Sequence, residues 1–460
     1  MSEATDVLAR LEARDPTLWP DGNVSASRLG WLDVFDRLHG EARELTRWAD
    51  GVARSRVVLI GMGGSSLGPE VLRAAHRRDD FVVVDTTDPA TVALVDPTDA
   101  FFVVSSKSGA TLEVRSLLAH FWELVPDGSR YAAITDPGTE LARLGAERSF
   151  NRVFENPPDI GGRYSVLSYF GLVPAALLGY DIAALCREAA SVNRGNAVQL
   201  GLDLGYAARN EHRDKVTVVT PPAPLAEFGL WVEQLIAEST GKAGTGLVPV
   251  PTTQVEEGVD RFMEAVHIGD PAELGAEFFR WELATAAAGH TLGIDPFDEP
   301  NVAESKANTA RVLDALASGD KALPELPTIE AGSVMATLEH LIGVGDYVSV
   351  QAYLPYASPA PAALEALRRR VRDRFAGMAV TAGYGPRFLH STGQLHKGGP
   401  SSVVALQVVR RTPSADVAVP GAGYDFATLI EAQSIGDYQS LEAHGRRVVR
   451  VAIDDLDEVA

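Results

Sequence analysis

Cysteine is all but missing from this 460-residue chain: Cys186 stands alone. That excludes an internal disulfide and any cysteine-built metal site, and it suits a reducing compartment. Lysine is scarce as well. Of 41 basic residues only six are lysines, at 107, 215, 242, 306, 321 and 397, so each is a less casual choice than usual. Long apolar runs are lacking too. The longest, around residues 169–180, contains Gly171 and Pro174 and is too short to cross a bilayer. The first residues, Met-Ser-Glu-Ala-Thr-Asp, are acidic and polar, unlike a secretory signal, and a cytoplasmic protein is expected. Net positive charge is absent: the balance is −21, which argues against nucleic acid or an anionic membrane surface as a partner. A small anionic substrate would have to meet locally concentrated positive charge. No metal site is expected, since His390 and His396 lie six apart, unlike ligand spacing on a helix.

What is present is an ordinary globular composition, 46% apolar and 22% charged, long enough for two or three domains. Residues 1–54 show helical spacing in Leu8, Leu11, Trp31, Phe35 and Leu45, broken by Pro16, Pro20 and Gly22, and read as a helical extension. From residue 56 strands alternate with helices. Strands are expected at 57–60, 81–84, 101–104 and 131–135, and again at 215–220, 246–250, 264–267, 347–354, 380–389, 403–409 and 447–453. Helices are expected at 67–76, 225–241, 273–292, 360–375 and from 426 past 439. This alternation predicts an α/β fold with parallel sheets covered on both faces, in two doubly wound units, 55–205 and 206–460.

Two turns stand at strand ends, where such sheets bind ligands. The first, Gly61-Met62-Gly63-Gly64-Ser65-Ser66, is not a dinucleotide fingerprint, and no lysine follows to make a phosphate-binding P-loop. It allows close backbone approach, with Ser65 as an added donor. In the second, a buried strand runs into Ser106-Lys107-Ser108-Gly109-Ala110-Thr111 and then a helix. Hydroxyls, free backbone N–H groups and one ammonium converge there on a point suited to a phosphate. Plain helix capping is the alternative, but it needs one hydroxyl, not three beside a lysine.

Ser106 to Glu113 resembles the phosphate loop of sugar isomerase (SIS) domains, and further stretches are similar to the phosphoglucose isomerase family. Gly61 to Pro69 resembles its first glycine motif, and Gly161-Gly162-Arg163-Tyr164-Ser165 the segment with its active-site arginine. Glu238-Ser239-Thr240-Gly241-Lys242 resembles the motif led by its catalytic glutamate, with Gln234 one turn earlier. Residues 296–306 resemble the segment ending in its lysine, although Glu299 stands where the family has glutamine. The tail His390 to Pro400 is similar to the isomerase part of fused transaldolase/phosphoglucose isomerase chains. The resemblance implies two SIS domains of flavodoxin-like topology, no cofactor, a cytoplasmic homodimer and a sugar-phosphate substrate.

It also implies interconversion of glucose 6-phosphate and fructose 6-phosphate. Gly64, Ser65, Ser106, Lys107, Ser108, Thr111 and Gln234 would bind substrate, Glu238 move the proton, Arg163 stabilise the enediolate, and Lys306 with a histidine open the ring. His396 is assigned that last role from the string Thr392-Gly393-Gln394-Leu395-His396, with His390 in reserve. The chemistry fits the residues, because one carboxylate can take a proton from one carbon and return it to the next. Gln234, Glu238 and Gly241 share one helix face. A solvated Glu238–Lys242 pair is the bland alternative, as a surface loop is for Arg163 and an exposed helix for Lys306. Other readings are a related substrate, such as mannose 6-phosphate or a sulfonated sugar, or a non-catalytic sugar-phosphate sensor.

Overall fold

The computed structural model describes residues 2–20, 24–52, 56–317, 323–356, 360–412 and 417–459. Its central strands are largely apolar, as strands covered on both faces must be; β3 (Ala100–Ser105) is buried at every position. Five strands, β1 (Arg56–Ile60), β2 (Phe81–Val84), β3, β4 (Tyr131–Thr135) and β5 (Arg152–Glu155), form a parallel sheet in the order β2-β1-β3-β4-β5. That is the flavodoxin-like order, whose direction reverses between β1 and β3. The turns at residues 61–66 and 106–111 leave these two strands side by side, Ile60 being in register with Val104.

The rest of the chain carries two parallel sheets, not one. β6 (Lys215–Val219), β7 (Val248–Thr252) and β8 (Arg261–Ala265) order as β7-β6-β8. β9 (Tyr347–Tyr353), β10 (Ala379–Tyr384), β11 (Val403–Arg410) and β12 (Arg447–Ile453) order as β10-β9-β11-β12. The split has a cause in the sequence Val-Pro-Val-Pro-Thr. Val248 donates its N–H to Asp214 and Thr252 accepts from Thr220, so this side of β7 faces β6. The opposite side carries Pro249 and Pro251, which have no N–H to give. β7 is thereby an edge, and side chains such as Val248, Val250, Tyr347 and Ala379 fill the space beyond it. β5 was not expected from the sequence, and the strand expected at 380–389 stops at Tyr384, followed by a helical turn Arg387–His390.

The amino-terminal segment, including helices Glu3–Glu12, Val34–His39 and Ala42–Gly51, buries Val7, Leu11, Trp31, Phe35 and Leu45 in the largest core cluster. Trp31 lies against Tyr164 with ring centroids 5.0 Å apart, and Tyr164 against Phe297 at 5.1 Å. This aromatic cluster backs the Gly162–Tyr164 turn, so the extension buttresses the arginine next to it. Among the described residues no helix is long and apolar enough to cross a membrane.

Candidate active site

Arg163 is 4% exposed, and its guanidinium is fully engaged. Nε donates to Ser239 Oγ (2.9 Å), and one terminal nitrogen to the carbonyls of Pro296 (2.7 Å) and Asp298 (2.8 Å). The other lies 3.1 Å from both Glu238 Oε1 and Glu299 Oε2. A charge this deeply buried persists because it is paired and hydrogen-bonded on every side. Glu299 thus faces the arginine, not a phosphate site.

Glu238 projects from the helix Phe228–Thr240, with Gln234 one turn before it donating Nε2–H to Glu238 Oε2 (3.0 Å). Burial pushes the Glu238 carboxyl up from its ordinary value, the Arg163 charge works against that, and Glu299 adds to it. A base raised toward neutrality and held beside a cation suits proton transfer from carbon. The pair Glu238–Lys242 does not form. Lys242 turns away to the Asp298 carboxylate and to the Asp295 (2.7 Å) and Asp298 (2.6 Å) carbonyls. Burial and Arg163 push its ammonium down to about 8.

The phosphate-type loop reaches this carboxylate through a short relay. Thr111 is the N-cap of helix Leu112–Leu124, yet its hydroxyl makes no capping bond; it pairs instead with Ser106 Oγ (3.1 Å). Thr111 and Ser106 therefore do not cap the helix, while Ser108 Oγ accepts the Ala110 N–H (3.2 Å) within the loop. In the first turn of the same helix Glu113 Oε1 contacts His390 Nε2 (2.8 Å) and accepts from Gln433 Nε2 (2.6 Å). The His390 carbonyl in turn accepts from Gln234 Nε2 (2.9 Å). A cavity of about 400 Å³ is lined by Ser108, Thr111, Glu113, Thr309, His390 and Gln433. Loop and base are thus linked by a hydrogen-bond chain through Gln234, His390 and Glu113, with His390 and Glu113 in the cavity wall.

Two sequence-based assignments change. His396 is 2% exposed, with its ring nitrogens 3.2 Å from Ser349 Oγ and 3.1 Å from Gln351 Nε2 on β9. Burial, with Lys397 beside it, pushes its imidazole down to about 3. It is a core residue, and His390 is the histidine at the cleft. Lys107 does not project into the cavity either: its ammonium is tied to the Asp136 carboxylate and to the Pro158 carbonyl (3.4 Å). The Lys306 side chain lies outside the described residues. Ser65, 8% exposed, sits in the turn after β1. Gly64 has a packing role, since a Cβ there would stand 2.0 Å from the Gly162 carbonyl oxygen. Glu113, Gln433 and Ser239 were not singled out beforehand as functional. Among the described residues no group of three His, Cys, Asp or Glu side chains is arranged to hold a metal ion.

In fold, the chain is a parallel α/β protein of the kind seen in a glucose-6-phosphate isomerase. The crystal structure of that enzyme from Chlamydia trachomatis D/UW-3/Cx aligns over 73% of this chain and 80% of its own, with TM-score 0.51 and 18% identity. By sequence, the chain is similar to the phosphoglucose isomerases: residues 39–197 match the family model described as Phosphoglucose isomerase. A glucose-6-phosphate isomerase of Thermus thermophilus is 32% identical over 251 residues, 50% of this chain and 59% of that protein. Its counterpart in Synechococcus sp. JA-3-3Ab is 28% identical over 389 residues, 74% of this chain and 71% of that one. The chain spans less than two thirds of the length of the first curated relatives it matches.

Proposed function

We propose that the protein is an aldose–ketose isomerase that interconverts glucose 6-phosphate and fructose 6-phosphate through an enediolate. The observation that carries this reading is a buried carboxylate, Glu238, held between Arg163 and Gln234 and joined through His390 and Glu113 to a hydroxyl-lined loop. In this scheme Ser108, Thr111 and the uncapped start of helix Leu112–Leu124 grip the phosphate, a placement helped by the helix dipole. Ser65 and Ser106, on the turns that follow β1 and β3, are assigned to the phosphate site on family resemblance. Glu238 takes the proton from C2 and returns it to C1. Arg163, already 3.1 Å from that carboxylate, meets the negative charge that grows on the enediolate oxygens.

His390, oriented by Glu113, passes a proton to and from the ring oxygen as the pyranose opens. Lys306 is assigned a part in the same step on family resemblance alone. The resemblance likewise carries a cytoplasmic homodimer. The test is turnover: purified protein should form glucose 6-phosphate from fructose 6-phosphate in a dehydrogenase-coupled assay. It should prefer this pair over mannose 6-phosphate and a sulfonated hexose. No turnover of the glucose and fructose phosphates, with any other sugar of the panel converted instead, would reject the substrate assignment.

A further inference from the structure

A second cavity, of about 260 Å³, lies on the other side of the turn Arg387–His390. His390 faces the sugar cleft, whereas Phe388 and Ser391 line this second space. It has room for roughly nine water volumes. Leu67, Leu230, Pro251, Leu364 and Phe388 give it apolar walls. Into these walls are set polar groups for which the proposed isomerase chemistry has no use.

Tyr384 is 6% exposed and its hydroxyl has no hydrogen-bond partner among the described residues; the same holds for Glu227 Oε2. Glu233 is 7% exposed, and among the described residues Arg387 is the one charge that acts on it. The cations at the rim are already matched. Arg387 is bidentate to Asp85 at 2.7 and 3.0 Å, and Arg369 is bonded to Glu365 at 2.7 Å. The unmatched charge that the cavity can develop is therefore negative.

We propose that this cavity binds a small organic cation, a primary ammonium on an apolar body. The Glu233 and Glu227 carboxylates and Tyr384 Oη supply three acceptors, which equals the number of N–H donors on an ammonium. The Tyr384 and Phe388 rings offer the apolar and cation–π faces. Burial pushes the Glu233 carboxyl up to about 8 against the pull of Arg387, and burial together with the nearby Glu70 and Asp85 carboxylates raises that of Glu227. An arriving cation reverses that effect, so binding at neutral pH drives a proton off Glu233 into solvent.

The probe is benzylamine, with benzyl alcohol and benzoate as neutral and anionic matches in shape, titrated calorimetrically into the full chain at neutral pH in two buffers of different ionisation enthalpy. Benzylamine should saturate one site per chain with buffer-dependent heat from proton release, and bind at least about tenfold more tightly than either match. Glu233→Gln and Glu227→Gln should each weaken it by about tenfold. Absence of saturable benzylamine binding, equal binding of benzyl alcohol, or undiminished binding by both variants would overturn the proposal.

Discussion

Gly64→Ala isolates the close approach on which the candidate site depends. An added Cβ would stand 2.0 Å from the Gly162 carbonyl oxygen, 2.4 Å from its carbon and 3.0 Å from the Arg163 nitrogen. All three are backbone atoms, so no side chain can swing aside. Ordinary contact begins near 3.4 Å, so the turn after β1 and the turn carrying Arg163 must part by more than an ångström. Overpacking of this kind costs about 1–3 kcal/mol, which a core of this size tolerates. A misplacement of about 1 Å in catalytic groups, by contrast, costs on the order of 100-fold in rate. The expected outcome is a folded variant with kcat/KM reduced about 100-fold in the coupled isomerase assay. Gly161→Ala and Gly162→Ala are the controls, because a Cβ at either position meets nothing within 4 Å. Full activity in Gly64→Ala, or equal damage in all three variants, would refute the reasoning.

Other consequences are as direct. His390→Asn should lower kcat by about 100-fold or more, whereas His396→Asn, altering a core residue, should lower thermal stability and leave kcat near wild type; the reverse pattern would restore His396 to the site. Arg387→Ala strands the Asp85 carboxylate, 2% exposed, and should destabilise by about 3–5 kcal/mol in urea denaturation. For Glu233 the unfolded chain ionises near 4.5 and the native carboxyl only near 8. The stability contributed by this one group is therefore fully present below the first value and is lost as pH rises toward the second, by at most about 5 kcal/mol. Glu233→Gln should flatten that decline in a pH series of thermal melts; an unchanged slope would show the carboxyl to be ionised in the native protein.

Much of the first sheet was legible because its signals are local. The expected β4 coincides with Tyr131–Thr135, and the helix Leu67–His76 follows its glycine turn at the expected residues. β5 escaped because Arg152-Val153-Phe154-Glu155 is four residues long with charged ends, too short for periodicity to declare itself. The division of residues 206–460 into two sheets was visible in principle at Pro249 and Pro251. Its meaning depends on which edge of β7 the prolines occupy, and that only the fold supplies. At the candidate site Arg163, Glu238 and Thr111 came from motifs whose spacing is short. Glu113 and Gln433 lie 320 positions apart, so no local pattern joins them. His396 was assigned from a short string of residues, but its burial against Ser349 and Gln351 depends on β9, nearly fifty positions away.

In the proposed reaction Glu238 is the group that carries the proton between the two carbons. Glu238→Gln keeps the side-chain shape and a hydrogen-bonding oxygen for Arg163 while removing the base. Turnover and fructose 6-phosphate binding should be measured on the same preparation, the first by coupled assay and the second by calorimetry. A loss of kcat of about 1,000-fold or more with the dissociation constant kept within a few fold is the predicted result. Wild-type turnover in the variant would contradict the central claim.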